Sequence, residues 1–187
     1  MGLGSIIYET DEDSPLNWYS FIMESKTIEA LKWIVGVLNK LEVPYRIGGG
    51  FAAHAYGSSR QINDIDISLS GRFFDVLVSE TKDYITAGPK HYSNEKWDCD
   101  TLSLNYHGQD IDLTDVDTLR MSNKAKTEWV SPKEKYYVHN PVIKNIAGID
   151  VALFDPRDLI TYKKELDGDH QTIDIDAVEK YIGSHDL

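Results

Sequence analysis

The chain is poor in cysteine, in positive charge and in long apolar runs, and each shortage excludes something. A single thiol, Cys99, leaves no internal disulfide or zinc cluster to build, which fits a reducing compartment. Lys and Arg number 19 against 31 Asp and Glu, for a net charge of −12. Such a surplus repels phosphate backbones and anionic lipid unless basic side chains gather locally, so extended DNA binding is not expected. No apolar run approaches the roughly 18 residues that span a bilayer, and no membrane partner is expected. The leading residues turn acidic at Asp11, Glu12 and Asp13, unlike the basic-then-apolar order of an export signal, so the expected location is cytoplasmic.

What is present has globular composition. Apolar residues make up 41% and charged residues 27% of 187, enough for a real hydrophobic core without staples. Residues 1–187 read as a single domain, with a core over about 27–120 and C-terminal strands and helices over 136–187.

The pattern of elements follows from periodicity and punctuation. Ser14-Pro15 followed by Trp18, Phe21 and Ile22 predicts a short opening helix, and Ile28, Leu31, Val35 and Leu38 predict a longer one over Thr27 to Leu41, stopped by Pro44. Tyr45-Arg46-Ile47 reads as a strand entering the turn Gly48-Gly49-Gly50, with a compact helix from Phe51 to Tyr56. Asp64 to Leu69 alternates acid and aliphatic, the period of a half-buried strand, and Phe73, Phe74, Leu77 and Val78 return to helical spacing. A hairpin is predicted from Thr101–Tyr106, a His107-Gly108 turn and Asp110–Val116. Strand-like pieces at Val142–Ile146 and Ile149–Phe154 precede a helix opening at Asp155-Pro156 and a last one over Asp174 to Ile182. Strands that alternate with helices and also pair as a hairpin give an α/β (α+β) fold, a mixed, partly antiparallel sheet with helices packed on it. Residues 120–135, with Arg120, Lys124, Lys126, Lys133 and Lys135, are locally positive and read as an anion-facing segment.

The chemistry concentrates in acids. Asp64 and Asp66, two apart on a strand, project to one face about 7 Å apart along the backbone. Carboxylates this close raise one another's pKa or demand a cation, and Mg²⁺ is a hard ion that takes one or two carboxylates and leaves its other positions to water and phosphate. Asp112, between Ile111 and Leu113 on the hairpin's second strand, can supply a third carboxylate, enough for two metals. Gly49-Gly50, closing a strand and opening a helix, gives a phosphate a place to settle without a side chain in its way. The plainer alternatives are a solvated acidic strand face, glycines that let a helix pack on a strand, and an Arg60 that forms a structural ion pair. For Lys163, Lys164 and His170 the plain reading, a solvated face or a cap, is the favoured one.

The ordered run from Gly49-Gly50 through Arg60 to Asp64-Ile65-Asp66-Ile67, followed by Gly108-Gln109-Asp110-Ile111-Asp112-Leu113, resembles the signature of the DNA polymerase β-like nucleotidyltransferase superfamily. The likeness is to its small prokaryotic branch, which includes antibiotic and toxin–antitoxin enzymes. It is close over about residues 45–116. It implies a nucleotidyltransferase fold and a Mg²⁺-dependent enzyme, with two ions held by Asp64, Asp66 and Asp112, which also serve as the catalytic residues. Gly49, Gly50, Arg60 and Lys163 are the expected nucleotide-binding residues. The implied reaction moves a nucleoside monophosphate from a nucleoside triphosphate to a hydroxyl on a small molecule, a tRNA or a partner protein. The alternative is an inactive binding module that keeps the fold. Ile62, where many relatives carry threonine, departs from the pattern.

Overall fold

The computed structural model describes residues 23–185; the opening helix expected from Ser14 to Ile22 lies outside the described residues. Helix α1 (Ser25–Lys40) buries Ile28, Leu31, Ile34, Val35 and Leu38 along one stripe, the face the sequence spacing set aside for the core. The chain then runs through β1 (Tyr45–Ile47), α2 (Gly49–Ala55), β2 (Asp64–Leu69) and α3 (Phe74–Thr81). Strands β3 (Ile85–Ser93), β4 (Trp97–Tyr106), β5 (Gln109–Asp115), β6 (Arg120–Ser122) and β7 (Trp129–Val130) follow. After the short α4 (Pro132–Lys135) come β8 (Val142–Ile146), β9 (Ile149–Leu153), α5 (Pro156–Lys164) and α6 (His170–His185).

The strands form one mixed sheet in the order β7-β6-β4-β5-β2-β1-β9-β8, with β3 also paired to β4. Among the described residues, only β2/β5 and β1/β9 are parallel. The fold class is thus as the sequence indicates. One face of β2 and β5 buries Ile65, Ile67, Leu69, Ile111 and Leu113, each at 2% exposure or less. Burying a side chain of this size is worth about 1.5–3 kcal/mol, and that gain fixes the register, because a one-residue slip would turn the acids inward. The same alternation sends Asp64, Asp66 and Asp112 to the opposite face. Above the apolar face, α1 is tied to β5 where the Thr27 hydroxyl donates to Gln109 Oε1 at 2.6 Å.

Three differences from the sequence reading have physical causes. Strand β3 has no counterpart there: Gly88 and Pro89 interrupt its pattern, and the strand accommodates them as an irregular partner of β4, with register shifts on both sides of Ala87. Helix α6 begins at His170, one turn before Asp174. The positive stretch 120–135 is not an anion-facing surface: Lys126 pairs with Glu95 at 2.8 Å, Lys135 with Glu165 at 3.5 Å and Lys133 with Asp117, while Arg120 lies over the Trp129 ring. Three of its lysines are answered by acids from other parts of the chain. Among the described residues, no helix is long and apolar enough to cross a membrane.

Candidate active site

Register places the acids. β2 and β5 run parallel with Asp64 opposite Asp110 and Asp66 opposite Asp112, so all four side chains leave the sheet on one face. Asp110 is exposed and accepts a hydrogen bond from Asn105 Nδ2 at 2.7 Å. Asp112 is less exposed and accepts one from the Ser103 hydroxyl at 2.6 Å, on its Oδ1. Burial, and next the charges of Asp64 and Asp112, push the Asp66 carboxyl up to about 7, with the Lys163 ammonium pulling the other way. Asp64 is also raised, by burial first and then by Asp112. The three acids therefore feel one another, as a cation site requires.

The glycine corner meets them through β1. Antiparallel pairing sets Ile47 opposite Ile67, and the Gly48 N–H donates to the Asp66 carbonyl at 2.9 Å. Gly49 follows with φ of +58°, and a β-carbon on it would lie 1.7 Å from Asp66 Oδ2. Glycine is thus required twice, for the left-handed backbone and for the carboxylate's space.

The acids and the glycines share a cavity of about 250 Å³, lined by Gly49, Gly50, Arg60, Asp64, Asp66 and Lys163, and further by Gln61, Asn63, Tyr162, Leu166, His170 and Gln171. Asp112 lies outside this lining, one strand away from Asp66. Of the two lysines at the end of α5, Lys163 faces the cavity and is 2% exposed, whereas Lys164 points out to Glu179 at 3.1 Å. Tyr162, beside it, has its phenol pushed well above its ordinary range by burial and by Asp66. Neither Arg60 nor Lys163 is loose. Arg60 Nη1 donates to Asp174 Oδ2 at 2.6 Å, Lys163 Nζ donates to the same oxygen at 2.8 Å, and the Ser58 hydroxyl donates to Asp174 Oδ1 at 2.6 Å.

The sequence reading passes over Tyr162, Leu166, Gln171 and the anchoring by Asp174. Leu166, His170 and Gln171 reach the cavity from α6 and the turn before it, through a long-range contact that leaves no local pattern; the one available hint is an acid, Asp174, one turn before the core residue Val178 on the same helix face.

Among the described residues, no three His, Cys, Asp or Glu side chains are grouped closely enough to enclose a metal ion unaided. The donor set nonetheless fits a hard divalent cation, which needs only one or two carboxylates when phosphate and water complete its shell. Asp64 and Asp66 on the cavity wall are such a pair.

Solved structures share the fold. The TM1012 protein of Thermotoga maritima, assigned as a nucleotidyltransferase, superposes with a TM-score of 0.61 at 15% identity, over 85% of this chain and 90% of that one. The chain has the nucleotidyltransferase fold. The lincosamide antibiotic adenylyltransferase LnuA, solved with lincomycin bound, matches with a TM-score of 0.55 at 13% identity, over 82% of this chain and 96% of its own. ANT(2'')-Ia, solved with adenylyl-2''-tobramycin, matches at 0.53 and 15% identity, over 87% of this chain and 92% of its own. No protein-family model and no curated protein matches the chain. The nucleotidyltransferase fold read from the glycine and acid motifs is therefore borne out, at a sequence distance where the fold alone is shared.

Proposed function

We propose that the protein is a Mg²⁺-dependent nucleotidyltransferase that moves a nucleoside monophosphate from a nucleoside triphosphate to a hydroxyl of a small, cationic acceptor. The observation that carries this reading is one cavity lined by Asp64 and Asp66 together with Arg60 and Lys163, with Gly49 against the Asp66 carboxylate and Gly50 beside the Arg60 guanidinium. Carboxylates and fixed cations in one pocket suit a metal–polyphosphate and little else of that charge pattern. The net charge of −12 and the antibiotic adenylyltransferases that share the fold support a cationic acceptor.

In the proposed reaction the acceptor oxygen attacks the α-phosphorus while the α–β phosphoanhydride bond breaks, and pyrophosphate leaves in line. Arg60 and Lys163 hold the phosphates. Asp112, whose Oδ1 is occupied by Ser103, takes the acceptor's proton on the other oxygen. Asp64, Asp66 and Asp112 would hold the divalent ions, two being expected; when bound, such ions neutralise the phosphate oxygens and acidify the attacking hydroxyl.

The test is incubation with Mg²⁺ and each α-labelled triphosphate, against a panel of hydroxyl-bearing amines, with release of pyrophosphate measured alongside. Label on an acceptor in the wild type and none in Asp64→Ala supports the reading. Metal-independent nucleotide binding with no transfer to any acceptor rejects it in favour of an inactive binding module.

A further inference from the structure

We propose that Asp174 is a positioning residue for the triphosphate, acting through Arg60 and Lys163; the assignment rests on the nucleotidyltransferase reading above. The three side chains come from separate parts of the chain: Arg60 from the loop between α2 and β2, Lys163 from the end of α5 and Asp174 from α6. Asp174 is 0% exposed, and its carboxylate accepts from three side chains, Ser58, Arg60 and Lys163. Gln171 Oε1 accepts a further bond from Lys163 Nζ at 3.2 Å.

The bonds leave donors pointing elsewhere. Arg60 spends Nη1 on Asp174, and its Nη2 lies 4.0 Å from where a β-carbon on Gly50 would sit, on the cavity side. An arginine tethered through one Nη keeps further N–H donors in its planar fork, the group that suits bidentate phosphate binding. Two cations share one carboxylate, so the group keeps one net positive charge toward the cavity. Without Asp174, Arg60 and Lys163 still share the cavity with Asp64 and Asp66, on whose carboxyls their charges already act. Both would then turn onto the carboxylates that the metal needs, and the pocket would be filled by its own ion pairs. Asp174 thus keeps the cations and the catalytic acids apart, in addition to aiming the cations.

The experiment compares wild type, Asp174→Asn, Lys163→Met and the double variant, by calorimetry with Mg²⁺ and ATP or AMP and by steady-state kinetics. In Asp174→Asn the ATP dissociation constant and KM rise at least ~10-fold, a loss of about 1.4 kcal/mol, while AMP affinity changes far less, because only the outer phosphates lose their partners. The double variant is little worse than the worse single one, as expected when one residue acts through the other. Unchanged ATP affinity in Asp174→Asn, equal losses for ATP and AMP, or additive losses in the double variant would overturn the assignment. If Asp174→Asn does not melt cooperatively, Asp174→Glu, which keeps the charge but moves it by one methylene, is read by the same criteria. Failure of the wild type to bind any triphosphate defeats the nucleotidyltransferase reading itself, and the role of Asp174 with it; a binding wild type with an unaffected variant defeats only the latter.

Discussion

A β-carbon on Gly49 would lie 1.7 Å from Oδ2 of Asp66, a separation that no rotation of the glycine's neighbours can relieve without moving the carboxylate. The glycine corner and the acid pair are therefore one device. Gly49→Ala is expected to lose transfer activity almost completely and also to lose stability, since a non-glycine residue at φ of +58° costs about 1–2 kcal/mol before the clash is counted. A thermal melt beside an activity assay checks both. Full activity in the variant would show that the carboxylate's present position is not the working one.

Removing either acid should separate function from folding. Asp64→Ala and Asp66→Ala are predicted to reduce transfer by about 1000-fold or more, the scale of losing electrostatic stabilisation of the transferred group. Neither side chain belongs to the apolar core. Circular dichroism and melting should therefore remain native-like, and a collapse of the fold would contradict the assignment of these acids to chemistry.

Metal-free stability should fall with rising pH. The native Asp66 carboxyl is raised to about 7 from an ordinary 3.8, so between those values the folded chain holds a proton that the unfolded chain releases, and stability declines as pH climbs through that window. Asp66→Asn removes the burden. Its melting temperature in chelator at pH 8 is expected to exceed that of the wild type by a few degrees, at about 2–4 °C per kcal/mol. Mg²⁺ should raise the wild-type melting temperature more at pH 8 than at pH 5. A variant less stable than the wild type at pH 8 would refute the cost assigned to burying this carboxylate beside two others.

Helix α5 brings Tyr162 and Lys163 to the cavity, and its start is set by Asp155, whose carboxylate accepts from the Arg157 N–H at 2.9 Å and from the Arg157 guanidinium. Asp155→Ala should cost about 1–2 kcal/mol of stability in urea unfolding. Any loss of activity in this variant should appear in KM for the triphosphate rather than in turnover.

Local pattern was enough for much of this molecule. The alternation of β2 and β5 could be read directly, since aliphatics at every second position demand burial on one side and thereby commit Asp64, Asp66 and Asp112 to the other. Gly49-Gly50 and Asp155-Pro156 were legible for the same reason: their conformational limits act within a few residues. The fate of the positive charges was not. Sequence alone made residues 120–135 the anion-facing stretch, whereas Glu95, Asp117 and Glu165 neutralise several of its charges from other parts of the chain.

The sequence by itself determined which residues carry charge, which side of each strand they leave from and where the chain must turn, because those follow from short-range sterics and from the period of burial. Only the tertiary structure decided which charges meet. The parallel pairing of β2 with β5 and the packing of α6 against α2 and α5 bring Asp66 beside Asp112 and Asp174 between Arg60 and Lys163, and electrostatic partners depend on distance in space, to which separation along the chain is no guide.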